Sequence, residues 1–303
     1  MTETNDYHQP VLLNESIQGL NINPAGSYVD VTYGGGGHSS EILNQITSGK
    51  LIAFDKDKDA QQNTLNDKRF TLVQHDFSYM KNFLKYLNTI PVEGILADLG
   101  VSSYQFDTAQ RGFSYRFEAD LDMRMDQDSK QSAYNLLNES SEADLHKFFG
   151  MFGEVKNAKT LAKTIVESRK IKPIQTTSQL YTILEKCTHK NDHLPRYAGM
   201  VFQALRIKVN NELESLTRFL KQSEEVLTKG GRLGVITYHS LEDRLVKNFI
   251  KTGNVEGKVE KDMYGNFSTT LKAINRKPIL PSKEEIEKNI RSRSAKLRIA
   301  EKI

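Results

Sequence analysis

The sequence predicts an α/β fold: a doubly wound parallel sheet that is interrupted by an inserted all-helical domain. Short apolar runs alternate with helical segments over about the first hundred residues, as in βαβ units. The alternation stops near residue 110 and resumes near residue 201. We therefore expect a core formed by residues 1–109 and 201–303, with a helical domain at residues 110–200 between its two parts.

Five apolar runs predict the parallel strands, because short apolar runs are typical of strands buried on both faces. The first begins at Val29, and the others are Leu51 to Phe54, Phe70 to Val73, Gly94 to Leu99 and Arg232 to Tyr238. The alternating run from Phe267 to Asn275 predicts a strand that closes the sheet edge. The last residues, Ile290 to Ile303, carry five basic residues against one acid and are interpreted as a basic C-terminal tail.

Helical periodicity accounts for most of the remaining chain. It predicts helices at residues 60–65, 80–87, 133–137, 143–149, 156–170, 177–188 and 241–250, and a long pattern over 201–227. The long pattern is broken near Asn210 and Asn211.

Composition limits the class of protein. The chain has 303 residues, of which 38% are hydrophobic and 26% charged, as in soluble globular proteins. No apolar run approaches the length of a membrane span and the N-terminus lacks a secretory pattern, so we expect a cytoplasmic protein. Cys187, His189 and His193 are too loosely spaced for a convincing zinc site, and no metal is expected. The net charge of +4 permits a polyanionic partner.

A glycine run at Gly34 to Gly37 follows the first strand and predicts a ligand-binding turn. Glycine permits positive φ and lets a ligand lie against main-chain amides at a helix N-terminus. Asp55 ends the second strand 19 residues after Gly36, the usual position for an acid that binds a ribose diol. Asp76 and Phe77 follow the third strand, where an adenine ring would lie. Together these residues predict an adenosine-containing ligand.

The glycine pattern also discriminates between such ligands. His38 and Ser39 stand where a dinucleotide-binding turn needs its third glycine, and no phosphate-binding loop of the G-x-x-x-x-G-K-[ST] type occurs. S-adenosylmethionine, which has a ribose and an amino-acid arm but no phosphate, fits the short turn and its acid better.

Motifs in order along nearly the whole chain resemble those of the bacterial small-subunit rRNA methyltransferase H family. They are H-x-P-V-L-L at 8–13, T-Y-G-G-G-G-H-S at 32–39, D-L-G-V-S-S at 98–103, R-G-F-S at 111–114, L-D-M-R-M at 121–125, F-Q-A-L-R-I-x-V-N-x-E-L at 202–213, H-S-L-E-D-R at 239–244 and R-S-R-S-A-K-L-R at 291–298.

This resemblance implies a class I S-adenosylmethionine-dependent methyltransferase of Rossmann-like fold that carries a helical insertion. It implies N4-methylation of a cytidine in the decoding region of 16S rRNA, with 16S rRNA or the 30S subunit as partner. By position in the motifs, the implied cofactor contacts are Gly36, Gly37, His38, Asp55, Phe77, Asp98 and Gln105.

Asp98 and His239 are the candidate catalytic residues, because each follows a predicted strand at the edge where the crevice should lie. Asp98 would hold either the cofactor or the acceptor amine. His239 would relay a proton or orient the base, although a capping role fits it nearly as well. The candidate RNA contacts are basic and are Arg111, Arg116, Arg124, Arg276 and the stretch Arg291 to Arg298.

Two other functions stay open on sequence grounds. A DNA or small-molecule methyltransferase would share the cofactor site, but would leave the helical insertion and the basic tail without a role. A non-enzymatic RNA-binding protein would be expected to lose the glycine turn or Asp98, and both are intact.

Overall fold

The computed structural model describes residues 10–188, 193–259, 264, 267 and 269–303. The chain divides into two compact units: Met1–Gly100 together with Leu213–Ile303, and Val101–Glu212. These boundaries lie outside the expected insertion at 110–200. The second unit is longer because Val101, Phe106 and Val209 also pack into its helical core.

The first unit is built on a seven-stranded sheet. Its strands are β1 (Ser27–Asp30), β2 (Lys50–Asp55), β3 (Phe70–Gln74), β4 (Val92–Asp98), β5 (Leu227–Thr237), β6 (Leu271–Ala273) and β7 (Lys296–Lys302). The order across the sheet is β3-β2-β1-β4-β5-β7-β6. The first five strands in that order are parallel, and β7 is antiparallel to both β5 and β6. All five predicted parallel strands are confirmed.

The predicted basic tail is wrong, because residues 296–302 form strand β7 inside the sheet, between β5 and β6. Leu297 and Ile299 are buried on this strand, while Arg298 forms an ion pair with Asp243. The predicted edge strand at Phe267 to Asn275 is confirmed only over β6, which does lie at the sheet edge. Residue 268 of that run is outside the described residues.

Twelve α-helices are present in the described residues. They are α1 (Leu13–Leu20), α2 (Gly37–Gln45), α3 (Met80–Tyr86), α4 (Ser103–Asp107), α5 (Ala133–Glu139), α6 (Glu142–Gly153), α7 (Ala158–Ile171), α8 (Thr177–Cys187), α9 (Leu194–Asn210), α10 (Glu212–Val226), α11 (Ser240–Thr252) and α12 (Lys283–Lys288). The helix expected at residues 60–65 is instead a 3₁₀ helix, Lys58–Asn63. The predicted break in the long helix is confirmed at Asn211, which has φ of +50° between α9 and α10.

Helices cover both faces of the sheet, as a doubly wound fold requires. On one face, Val29 and Ile52 pack with apolar residues of α3, α10 and α11. On the other face, Tyr28 and Leu51 pack with apolar residues of α1 and α2. Successive strand residues therefore serve opposite layers, which explains why the parallel strands are apolar throughout.

The second unit is helical and has its own hydrophobic core. Apolar residues of α5 to α9 form one continuous cluster with residues of the loop before α5, such as Phe113 and Met123. Between residues 101 and 188 and from 193 to 212 the structure contains no strand beyond the isolated bridge of Asp120 with Thr176. In the described part of the chain, no helix combines the length and apolar character that crossing a membrane requires.

Candidate active site

Three neighbouring parallel strands of the first unit each end in an aspartate. Asp55 ends β2, Asp30 ends β1 and Asp98 ends β4, and these strands are adjacent in the order β2-β1-β4. The chain reverses its direction of travel across the sheet between β1 and β4, which is where open α/β sheets form their ligand crevice. The fold therefore brings three carboxylates to one edge of the sheet.

Asp30 ties the end of β1 to the helix that follows the glycine turn. It is buried; its Oδ2 accepts a hydrogen bond from the Ser39 hydroxyl at 2.7 Å, and its Oδ1 accepts one from the Thr32 amide at 3.1 Å. Thr32 Oγ1 in turn accepts a hydrogen bond from the Asp98 amide at 2.6 Å. Asp30 thus positions the turn, and through Thr32 it is linked to the end of β4.

The glycine turn adopts the conformation that its residues permit. Gly34 and Gly36 have φ of +51° and +77°, and a Cβ added at Gly36 would lie 2.7 Å from the Tyr33 hydroxyl oxygen. Helix α2 begins at Gly37, and no side chain caps its N-terminus. Its first amides are therefore not engaged by a capping side chain, as suits a ligand-binding turn.

Asp55 lies against this turn, as the spacing of the two motifs predicts. Its Oδ2 accepts a hydrogen bond from the Gly34 amide and its Oδ1 one from the Asp57 amide, each at 2.8 Å. Burial raises the pKa of the Asp55 carboxyl to about 6, against the opposing effect of these hydrogen bonds. Each oxygen retains a lone pair for a ribose hydroxyl.

Asp98 is surrounded by polar groups from several elements. Its Oδ1 accepts a hydrogen bond from the Tyr238 hydroxyl at 2.7 Å, and its Oδ2 lies 3.9 Å from His38 Nδ1. Burial raises the pKa of Asp98 to about 6, although His38 and Tyr238 both lower it. Its side chain is still 23% exposed, so the carboxylate is accessible at the strand end.

His38 is buried at the second residue of α2. Its Nε2 lies 3.1 Å from the Val11 carbonyl oxygen, which places the proton on Nε2 and leaves Nδ1 facing Asp98. Burial lowers the pKa of His38 below its usual value. Burial thus disfavours the charged form of the ring, whereas the Asp98 carboxylate and the Val11 carbonyl oxygen favour it.

Tyr238 is a site residue that sequence reasoning missed. It follows β5, the strand next to β4, and Asp98 is paired in register with Ile236. Burial, together with the nearby Asp98 carboxylate, raises the pKa of Tyr238 well above its usual value, so the hydroxyl stays a donor. The available signal was a tyrosine at the polar end of a predicted strand.

His239 caps helix α11. Among the described residues, no hydrogen bond joins it to Asp98. Its Nδ1 accepts from the Glu242 amide at 3.4 Å, and its Nε2 lies 3.1 Å from Glu242 Oε1. Glu242 also accepts hydrogen bonds from the amides of Tyr238 and His239. This capping box holds the β5-to-α11 turn, and a catalytic role for His239 stays a proposal.

Phe77 and Asp76 lie after β3, as expected. Phe77 is half-buried and packs edge-to-face on Phe219, with ring centroids 5.5 Å apart. Asp76 already binds Lys56 Nζ at 3.3 Å, the Ser215 hydroxyl at 3.3 Å and the Ser78 amide at 2.8 Å. Its carboxylate is therefore largely occupied, which weakens the idea that it accepts a hydrogen bond from an adenine amine.

Three of the other predicted residues of the 101–212 unit, Gln105, Arg111 and Arg124, have local structural partners, whereas Arg116 is exposed. Gln105 is buried and forms a capping box with Ser102 at the start of α4. Arg111 donates to the carbonyl oxygens of Arg124 and Met125, and Arg124 binds both carboxylate oxygens of Asp122. Arg111 and Arg124 therefore stabilise their own loop, and their contact with RNA stays a prediction.

The structure does not describe Cys187, His189 and His193 as a cluster of metal ligands. His189 lies outside the described residues, Cys187 is buried, and the side chain of His193 caps α9.

The charge of the strand ends fits S-adenosylmethionine. Among the described residues, no lysine or arginine forms an ion pair with Asp30, Asp55 or Asp98. Burial raises the pKa of all three carboxyls, because their negative charges are not fully compensated. A ligand with a sulfonium, an ammonium group and a ribose diol supplies the missing cations and a partner for Asp55.

Comparison with known proteins gives consistent relatives. A family model described as the MraW methylase family matches residues 5–303. The chain is 54% identical to a ribosomal RNA small subunit methyltransferase H of Flavobacterium johnsoniae, with 100% of both chains covered. It is 51% identical to the protein of the same name from Bacteroides thetaiotaomicron, covering 98% of this chain and 97% of the relative.

Among solved structures, an rRNA methylase from Streptococcus thermophilus aligns with a TM-score of 0.41 and 11% identity, covering 98% of each chain. The assignment therefore depends on the family match and the full-length sequence relatives. On these two findings the chain belongs to the MraW methylase family, and it is an S-adenosylmethionine-dependent methyltransferase.

Proposed function

We propose that this methyltransferase methylates the N4 amine of a cytidine in the decoding region of 16S rRNA. The observation that carries the proposal is Asp98 beside the glycine turn: its partly accessible carboxylate accepts a hydrogen bond from Tyr238, and its backbone amide donates one to Thr32. The full-length relatives bear the name of a small-subunit rRNA methyltransferase, which supports rRNA as the substrate class.

Different residues of the first unit are proposed to hold different parts of the cofactor. The Gly37 amide suits the amino-acid arm, because α2 begins there without a side-chain cap. The Gly36 amide already donates to the Tyr33 carbonyl oxygen at 2.7 Å, so Gly36 is proposed to contribute the open backbone of the turn. Asp55 suits the ribose diol, and Phe77 offers an apolar face to the adenine. Gln105 is proposed as a further contact from its position in the motif. When bound, S-adenosylmethionine supplies a methyl group activated by its sulfonium.

Asp98 acts on the acceptor. The lone pair of a cytosine amine is delocalised into the ring, which makes the amine a poor nucleophile. A carboxylate that accepts a hydrogen bond from the amine favours a pyramidal nitrogen with a localised lone pair. Tyr238 fixes one oxygen of Asp98, so the other remains available for this hydrogen bond. Fixed orientation of this kind is the main contribution that an enzyme makes to a displacement reaction.

A methyl-transfer assay with three substrates tests the proposal. Labelled S-adenosylmethionine is incubated with the protein and either 30S subunits, free 16S rRNA or DNA, the ribosomal substrates coming from a strain in which the gene is deleted. We expect label in 16S rRNA, recovered as N4-methylated cytidine after digestion. We expect the Asp98→Asn variant to keep its circular dichroism spectrum and lose more than about a hundredfold in rate.

The alternatives predict different outcomes. Label on DNA alone would identify a DNA methyltransferase. Cofactor binding without label on any substrate would favour a non-enzymatic RNA-binding protein. Label on 16S rRNA at a base other than cytidine would keep the rRNA substrate and overturn the proposed target atom.

A further inference from the structure

One stretch of the first unit, near the end of the chain, carries a net positive charge. Residues 272–293, here called the basic segment, contain seven lysines and arginines and three glutamates, a net charge of +4. The segment comprises β6, the run that follows it, α12 and the 3₁₀ helix Ile290–Ser294.

Strand register places one end of the basic segment at the catalytic edge of the sheet. Strand β7 begins at Lys296, which pairs with Thr237, the last residue of β5 before Tyr238. Arg293 lies three residues before Lys296. Arg293 therefore lies near the end of the sheet at which Asp98 ends β4, the strand next to β5.

The part of the basic segment that follows β6 runs toward the same end of the sheet. The Ile274 amide donates to the Ile299 carbonyl oxygen, and Ile279 bridges to Leu297, closer to the start of β7. Arg276 and Lys277 lie between these two points. Two separate stretches of the segment thus bring cations toward one end of the sheet.

The cations of β7 itself are already used by the fold. Arg298 and Lys296 both pair with Asp243, and Lys302 donates to the carbonyl oxygens of Glu224 and Leu227. By contrast, Arg276, Lys277 and Arg293 are exposed and form no ion pair with any residue that the structure describes. These three charges are available to a partner.

We infer that Arg276, Lys277 and Arg293 form a docking surface for the phosphodiester backbone of the rRNA substrate. The inference rests on the proposed function, since it supplies the backbone contacts that a base-modifying site needs beside it. Exposed, unpaired cations bind phosphates with little dependence on sequence, and they hold the strand while the target base enters the crevice. The RNA-binding cations therefore belong to this segment and not to the C-terminal strand.

A matched pair of triple variants tests the surface. The test variant is Arg276→Gln, Lys277→Gln and Arg293→Gln. The control is Lys50→Gln, Lys68→Gln and Lys229→Gln, which removes three exposed, unpaired lysines next to the amino ends of β2, β3 and β5. Both triples lose the same charge. The test residues lie toward the carboxyl ends of the parallel strands, and the control residues lie toward the amino ends.

The kinetic constants for methylation of 16S rRNA are measured between about 50 and about 200 mM salt. For the test variant we expect KM to rise at least about tenfold and the negative slope of log(kcat/KM) against log[salt] to become less steep by about 2 to 3. We expect kcat at saturating RNA and the Kd for S-adenosylmethionine to be unchanged. For the control triple we expect wild-type constants and a wild-type salt slope.

Equal losses in both triples, or an unchanged salt slope in the test variant, would overturn the docking surface. Failure of the proposed function has a different signature, because the wild-type protein would then methylate no rRNA. In that case, filter binding of a 16S rRNA fragment to the same three proteins still decides whether the surface binds RNA.

Discussion

At the scale of single residues, the ionisation of Asp98 is set by a balance of named groups. Its pKa is raised to about 6; burial is the main cause, and the acidic neighbours Asp30 and Glu242 act in the same direction. His38 and the Tyr238 hydroxyl lower the pKa again. The carboxylate accepts a hydrogen bond from an amine most effectively when it is ionised, so activity should decline as the pH falls through its pKa.

The Tyr238→Phe variant tests this balance. The hydroxyl donates to the charged form of Asp98 and lowers its pKa, so its removal raises that pKa. We expect the acid limb of the pH profile of kcat/KM to move to higher pH by about one unit, because a hydrogen bond to a carboxylate contributes about 1.5 kcal/mol. The control is Tyr28→Phe, whose hydroxyl accepts from the Asn23 amide near the start of β1. An acid limb unchanged by Tyr238→Phe would contradict the assignment.

At the scale of elements, strand β7 is stabilised because its charged side chains bind groups on α11 and beside the start of β5. Arg298 binds both oxygens of Asp243 on α11, at 2.7 and 3.2 Å, and both side chains are mostly buried. Lys302 donates to two carbonyl oxygens beside the start of β5. These contacts allow a strand with alternating charged residues to lie inside the sheet.

The Arg298→Ala variant should be destabilised by about 2 kcal/mol, because it leaves a mostly buried carboxylate without its bidentate partner. Although burial alone would raise the pKa of Asp243, Arg298 and Lys296 hold it below its usual value. The contribution of the pair is therefore present above about pH 4 and is lost as the pH falls further. Denaturant unfolding at neutral and acidic pH measures both effects.

The matched control for Arg298 is Arg218→Ala. Arg218 pairs with Glu214 on the exposed surface of α10, and we expect a loss of only about 0.5 kcal/mol or less. Similar losses for the two variants would show that β7 is not held by this ion pair.

At the scale of the whole molecule, each compact unit has a hydrophobic core of its own. The core of the Val101–Glu212 unit consists entirely of residues between Phe113 and Val209, with partly buried neighbours from the same unit. A segment with its own closed core is expected to fold independently.

Residues 101–212 expressed alone should therefore fold. We expect a helical circular dichroism spectrum and a single cooperative unfolding transition in denaturant. A helical signal that decays gradually, without a transition, would show that the core needs the rest of the chain.

Local pattern was sufficient for much of the fold. Apolar runs located the five parallel strands, and Asn210 and Asn211 located the end of α9, because periodicity and helix-ending residues act within a few positions. Strand β7 was missed because Lys296 to Lys302 is rich in charge. Partners far away in sequence make that charge compatible with a sheet: Asp243 binds Lys296 and Arg298, Arg232 pairs with Glu301, and two carbonyl oxygens accept from Lys302.

The candidate site divides in the same way. Spacing alone paired the glycine turn with Asp55, since a strand, a turn, a helix and a second strand form one local unit. Tyr238, which lies 140 residues from Asp98, was not predictable, because its contact depends on β4 and β5 being neighbours.

By itself, the sequence determined the fold class, the family and the position of the glycine turn, because these depend on short-range periodicity and motifs. Only the tertiary structure decided how Asp98 is held, that His239 caps a helix, and which cations are exposed and form no ion pair among the described residues. Each of these depends on strand order and register, which bring together residues that are distant along the chain.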